Sequence, residues 1–170
     1  MKKHFAMMAA YNRWANGALY EAASALTDEE FRQDTGAFFA SMEGTLNHIM
    51  VGDLIWMHRF TGSGELPDAL DAILYDEFDE LRDAREGLDA RIIEWIDSIS
   101  DLELAGRFTY VTVTDMKTVS QRLAPALAHF FNHQTHHRGQ AHMILSVLGE
   151  APPPLDLIYF QRTAEGREFA

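Results

Sequence analysis

Five histidines lie between Ala126 and Leu148, and four of them, His129, His133, His136 and His137, fall within nine residues. On an α-helix each residue turns the chain by about 100°, so positions four apart stand one above the other. His129, His133 and His137 therefore form one row, with His136 close beside it. Imidazole is the commonest protein metal ligand, and an i, i+4 pair can hold two corners of one ion. The chain has no cysteine, so a transition-metal site here must be built from nitrogen and oxygen donors.

Angular position separates these histidines. With His129 at zero, His133 falls at about 40°, His137 at about 80° and His136 at about 340°. The apolar residues Leu127, Phe130, Ala141, Ile144, Leu145 and Leu148 fall between about 60° and 160°, which sets the buried direction at about 110°. This favours the His133/His137 pair and leaves His129 and His136 nearer the rim. His142, at about 220°, is read as structural or solvent-exposed. Two ligands hold an ion poorly, whereas three protein ligands with an open fourth position is the pattern of catalytic zinc centres. The third must come from another element. His48 is the best candidate, because Gly52 one turn later leaves the space over it open, at a cost of about 1 kcal/mol relative to alanine that close helix approach or an occupied cavity would make tolerable. His4 and His58 are weaker candidates, near a terminus and a helix end.

Other readings of the same residues stand beside this one. A buried histidine held by a hydrogen bond is the commoner use of a residue like His48, and a histidine cluster also suits a solvated rim or a subunit interface. Asp53 lies about 140° round the helix from His48, so it should not face the same ion. Asn132, Gln134, Arg138 and Gln140 could orient ligands or sit on the helix surface. Tyr11 and Trp14 suit core packing better than a pocket wall. No Glu-x-x-His occurs in the chain, which excludes a di-iron carboxylate bundle of the known type, and no motif supports haem.

The elements that must position these residues are mostly helical. Apolar spacing predicts a first helix over 3–25. Thr27 to Glu30 has the form of a capping box and should start a short helix. Ser41 can cap a second long helix to about Phe60, apolar on nearly every side and hence central. A third should run from about Tyr75 to Ser100, acidic on one side. Residues 107–118 are rich in β-branched and aromatic types and should form a short strand or small hairpin. The histidine helix is expected from about Val119 to Leu148, ended by Gly149 and by Pro152 to Pro154. Residues 155–161 should pack back on the bundle. The fold class is all-α, a four-helix bundle with long connections, read as a single domain over 1–170.

The chain has 170 residues and a formal net charge of −12. That balance repels phosphate backbones, so no nucleic-acid partner is expected. No window reaches the ~20 apolar residues needed to span a bilayer, and the N-terminus does not read as a signal peptide. The lack of cysteine fits a reducing cytoplasm.

Four segments together carry a resemblance: Tyr11-Asn-Arg-Trp-Ala-Asn16 in the first helix, Leu46-Asn-His-Ile49 in the second long helix, Trp56-x-x-Arg59-Phe60 at its end, and His133-x-x-x-His137-Arg-Gly-Gln140 in the last. In these the chain resembles the DinB/YfiT-like family of small metal-binding helical bundles, over nearly its whole length. The resemblance implies a divalent ion held by His48, His133 and His137, with zinc or nickel as the expected metal and iron or manganese compatible. It implies a homodimer and a small-molecule substrate. Similar proteins include transferases and isomerases that use a low-molecular-weight thiol, and hydrolases have been proposed. The competing expectation is a non-catalytic metal-binding stress-response dimer.

Overall fold

A computed structural model describes residues 1–112 and 115–170. Four long helices dominate: α1 (Lys2–Ala23), α3 (Met42–Thr61), α4 (Phe78–Ser98) and α6 (Leu123–Leu148). Short helices α2 (Asp28–Arg32), α5 (Asp101–Ala105) and α7 (Leu157–Phe160) and a final 3-10 turn (Gly166–Phe169) fill the connections. Strands β1 (Arg107–Val111) and β2 (Thr118–Arg122) pair antiparallel, with Tyr110 opposite Val119. The helices pack as a bundle in which α1 lies against α4 and α6, and α3 lies against α6.

Local chemistry explains most boundaries. The capping box expected at Thr27 forms, with Thr27 and Glu30 each satisfying the other's backbone N–H. A second box, Ser100 with Glu103, starts α5. The Ser41 hydroxyl accepts the Gly44 N–H and starts α3. That helix is buried on every side from Thr45 to Met57, as its apolar sequence requires.

Two starts differ from expectation. α4 begins at Phe78 rather than Tyr75, because the N–H groups of Leu74 and Tyr75 donate to the Asn47 side-chain oxygen and the Tyr75 carbonyl accepts from its amide nitrogen. α6 begins at Leu123 rather than Val119, because residues 118–122 complete the hairpin. Pro125 then falls in the first turn of α6, where proline is tolerated. The tail does return to the bundle: Phe160 is fully buried against Tyr11 and Trp14, and the Tyr11 hydroxyl donates to the Leu155 carbonyl at 2.6 Å.

The bundle core is not wholly apolar. Arg85 on α4 is 2% exposed and lies 2.7 Å from the carboxylate of Asp53 on α3 and 2.9 Å from that of Asp89. Asp89 also accepts from the amides of Asn12 and Asn16 on α1. The oxygens of those two amides accept from Arg138 on α6. Burial pushes the Asp53 carboxyl up, to about 6, against the pull of Arg85. This connected set of charges and amides touches all four long helices.

Removing the shared cation would strand two buried carboxylates. The Arg85→Ala protein is expected to lose about 3–5 kcal/mol of stability, the cost typical of breaking a buried pair from one side. Urea unfolding of the two proteins checks this; a loss below about 1 kcal/mol, the range of a surface pair, would contradict it.

Candidate metal centre

Two helices supply the three ring systems. His48 projects from the central α3, and His133 and His137 stand one turn apart on α6. The three offer one ring nitrogen each, and these atoms all lie within 4.8 Å of one another. The Nε2 atoms of His48 and His137 are 3.2 Å apart. Bonds of about 2.1 Å at tetrahedral angles separate two ligand nitrogens by roughly 3.4 Å, so the spacing fits one ion.

Tautomers follow from the outer hydrogen bonds. The Nδ1–H of His48 donates to the Leu70 carbonyl at 2.7 Å, and the Nδ1–H of His137 donates to the Gln140 side-chain oxygen at 2.7 Å. Both Nε2 lone pairs are therefore aimed at the same point. Two lone pairs facing each other repel, and a cation between them converts that repulsion into coordination. An outward Nδ1–H bond of this kind is what commonly orients a ligating histidine. The donor set, its spacing and its tautomers thus fit a divalent ion.

All three rings favour the neutral form that coordination requires. Burial lowers the His48 pKa, opposed by the Leu70 carbonyl and by Asp71. Burial lowers that of His137 as well, opposed by Gln140. His133 is pushed furthest, to about 3, first by burial and then by the other imidazoles around it.

Of the two explanations for Gly52, the structure shows close helix approach. A Cβ built there would sit 2.8 Å from Cε1 of the His133 ring. The missing side chain makes room for His133 across the helix interface, not for an open space over His48. Phe39, which the sequence did not mark, stacks on His48 with ring centroids 3.8 Å apart and an interplanar angle of 17°. It comes from the short connection before α3, where Ala40 holds a φ of 61°. That connection sits so close to α3 that a Cβ at Gly44 would lie 2.1 Å from the Phe39 carbonyl oxygen. Asn47, adjacent to His48 and fully buried, fastens residues 74–75 to α3 and so anchors the connection that carries Leu70.

The remaining sequence candidates resolve into separate tasks. His129 and His136 are exposed beside the cup, each ring next to that of a triad member. His4 is exposed on α1, and His58 is bonded to the Gly64 carbonyl at a helix end. His142 donates to the Pro153 carbonyl and holds the tail. Gln140 touches the site, whereas Arg138 is buried against Asn12 and Asn16 and Asn132 is exposed. Gln134 is fully buried beside Asp53. Tyr11 and Trp14 hold the tail, away from the cup. Asp53 faces Arg85, as its angle from His48 required.

Comparison with known proteins gives the family and the fold. A family model described as the DinB family matches residues 1–168. The chain is 29% identical over 153 residues to protein DinB of Bacillus subtilis (strain 168), covering 86% of this chain and 87% of the relative. Its fold is similar to the crystal structure of a DinB-like protein from Bacillus cereus ATCC 10987, with a TM-score of 0.60 at 20% identity, over 82% of this chain and 89% of that one.

Two outcomes follow from the packing and charge of the cup. Gly52→Ala should raise the intrinsic helix propensity of α3 yet displace His133. Divalent-metal affinity by calorimetry should fall by about 10- to 100-fold, the range of perturbed ligand support, while the helical circular dichroism signal stays; unchanged affinity would contradict the role of Gly52. Secondly, a histidine that resists protonation in the folded state binds fewer protons than in the unfolded chain. Stability from this source is present above the unfolded value near 6.5 and is lost as pH falls toward about 3. The melting temperature of metal-free protein should therefore drop between pH 7 and pH 5, and the drop should be shallower in His133→Gln.

Proposed function

The chain belongs to the DinB family, and on that premise we propose that it is a divalent-metal-dependent protein whose His48, His133 and His137 hold the ion for chemistry on a small molecule. The observation that carries this reading is the pair of Nε2 atoms 3.2 Å apart, each on a ring whose Nδ1–H is already committed outward. Nitrogen donors suit zinc, nickel and iron, and zinc or nickel is the metal we favour.

A divalent ion held by neutral ligands alone keeps its full charge, and when bound it lowers the pKa of a coordinated water toward ~7 or deprotonates a coordinated thiol. The chain's own groups complete the environment. Leu70 and Gln140 hold the two rings in the coordinating tautomer. Phe39 covers one face of His48 and keeps water from it. His129 and His136 stand exposed at the rim beside the rings of His133 and His137. Among the described residues, the metal-ligating cluster contains no carboxylate, so the favoured reaction needs a nucleophile activated by the ion rather than by a protein base. Transfer of a low-molecular-weight thiol fits this best, with hydrolysis second.

Elemental analysis of the protein as isolated, followed by conjugation of monochlorobimane with several small thiols, tests the proposal. In that reaction the thiolate sulfur displaces chloride to form a C–S bond, and the thiol proton leaves to buffer. Metal-stimulated rates are expected, lost in a folded His133→Ala variant. Protein that neither retains nor takes up metal would overturn the metal reading. Metal uptake with rates that never exceed those without protein would leave a metal-binding module without this activity.

A further inference from the structure

Beyond the histidine cup, α3 carries a cation with no acidic partner among the described residues. The Arg59 guanidinium lies between two aromatic rings, 4.7 Å from the centroid of Trp56 and 4.7 Å from that of Tyr110 on β1. Such stacking fixes the plane of the guanidinium and leaves its edge free to bind an oxyanion in a two-pronged manner. Among the described residues no carboxylate pairs with Arg59, although the chain carries a net charge of −12. Its Nε is buried and without a hydrogen-bond partner among those residues. That nitrogen has no room for a ligand atom beside it, so an oxyanion would engage the two Nη atoms at the outer edge.

The location ties Arg59 to the cup. The Trp56 ring lies 5.2 Å from that of His129, which in turn lies 6.0 Å from that of His133. Arg59 is about 10 Å along α3 from Gly52, where His133 packs, and its side chain leans back toward the helix N-terminus over Trp56. A cavity of about 280 Å³ is lined by Leu66, Pro67 and Asp68 of the connection after α3 and by Val111, Thr112 and Met116, the first of these next in sequence to Tyr110. Its walls are mainly apolar, and its one acidic group, Asp68, is exposed.

We propose that Arg59, clamped between Trp56 and Tyr110, binds the carboxylate of a small-molecule substrate whose other end reaches the metal, joined by an apolar segment that runs along Trp56 and His129. This rests on the metal reading of the cup and adds a length and a charge to the molecule it accepts. Arg59 is then a specificity-determining residue that acts at a distance from the reacting atoms.

Protein loaded with Co²⁺ gives a visible spectrum that reports thiolate coordination, with no turnover needed. Mercaptoacetate, 6-mercaptohexanoate and 11-mercaptoundecanoate are titrated against mercaptoalcohols of the same length. In the wild type the intermediate acid should bind at least about tenfold more tightly than its alcohol, the scale of one charged hydrogen-bonded contact. The short acid should show no such advantage. Arg59→Gln should erase the preference and leave alcohol binding unchanged, and Arg59→Lys should keep part of it. Equal affinity of acid and alcohol in the wild type, or a preference that survives in Arg59→Gln, would overturn the assignment. If no cobalt spectrum develops, the metal reading fails, and Arg59 is still tested by titrating metal-free protein with hexanoate while following tryptophan emission. A saturable change in the wild type that is absent in Arg59→Gln supports carboxylate binding; identical responses overturn it.

Discussion

The buried cation on α4 sets the geometry on which the rest depends. Arg85 has no water to fall back on, so Asp53 and Asp89 must stay within ion-pair distance of it. Those distances fix α3 against α4, and the amides of Asn12 and Asn16 carry the constraint to α1 and, through Arg138, to α6. Apolar packing alone tolerates small slides of one helix past another, whereas buried charges with directional bonds tolerate them poorly. The His48 and His137 rings come from two helices fixed in this way. The segment Tyr11 to Asn16 and Arg138 therefore serve the cup indirectly, by holding the helices that present it.

A second tier of contacts sets the rings themselves. The Leu70 carbonyl and the Gln140 amide oxygen take the outer ring protons, and this decides which nitrogen faces inward. Asn47 holds the segment that carries Leu70. One residue thus fastens a loop while its neighbour in sequence offers a ligand, which explains why the two stand side by side on α3.

Much of this was legible in the sequence, and what was not has physical causes. Helical periodicity and capping chemistry located the four long helices, and angular position relative to the apolar face of the last helix separated His133 and His137 from His129 and His136. The distance between His48 and the α6 histidines depends on tertiary packing, and no local pattern encodes it. Phe39 was illegible because it stands in an irregular connection with no periodicity to place it. The start of α6 is encoded locally: a helix from Val119 would put Pro125 in its interior, where proline breaks the ladder, while the β-branched residues around Val119 favour the hairpin. Gly52 is legible as a costly residue in a helix, yet its partner across the interface, His133, is set by tertiary packing.

The close approach of the Phe39 carbonyl to Gly44 means that mutational tolerance along α3 will not follow chemistry. Position 44 bears no functional group and lies a full turn before His48, yet any side chain there would collide with backbone rather than with a flexible tip. In a survey of all substitutions, this position should rank among the least forgiving in the helix. Intolerance here would report the seating of an aromatic lid on an imidazole, and a blank in the chain would look as indispensable as a ligand.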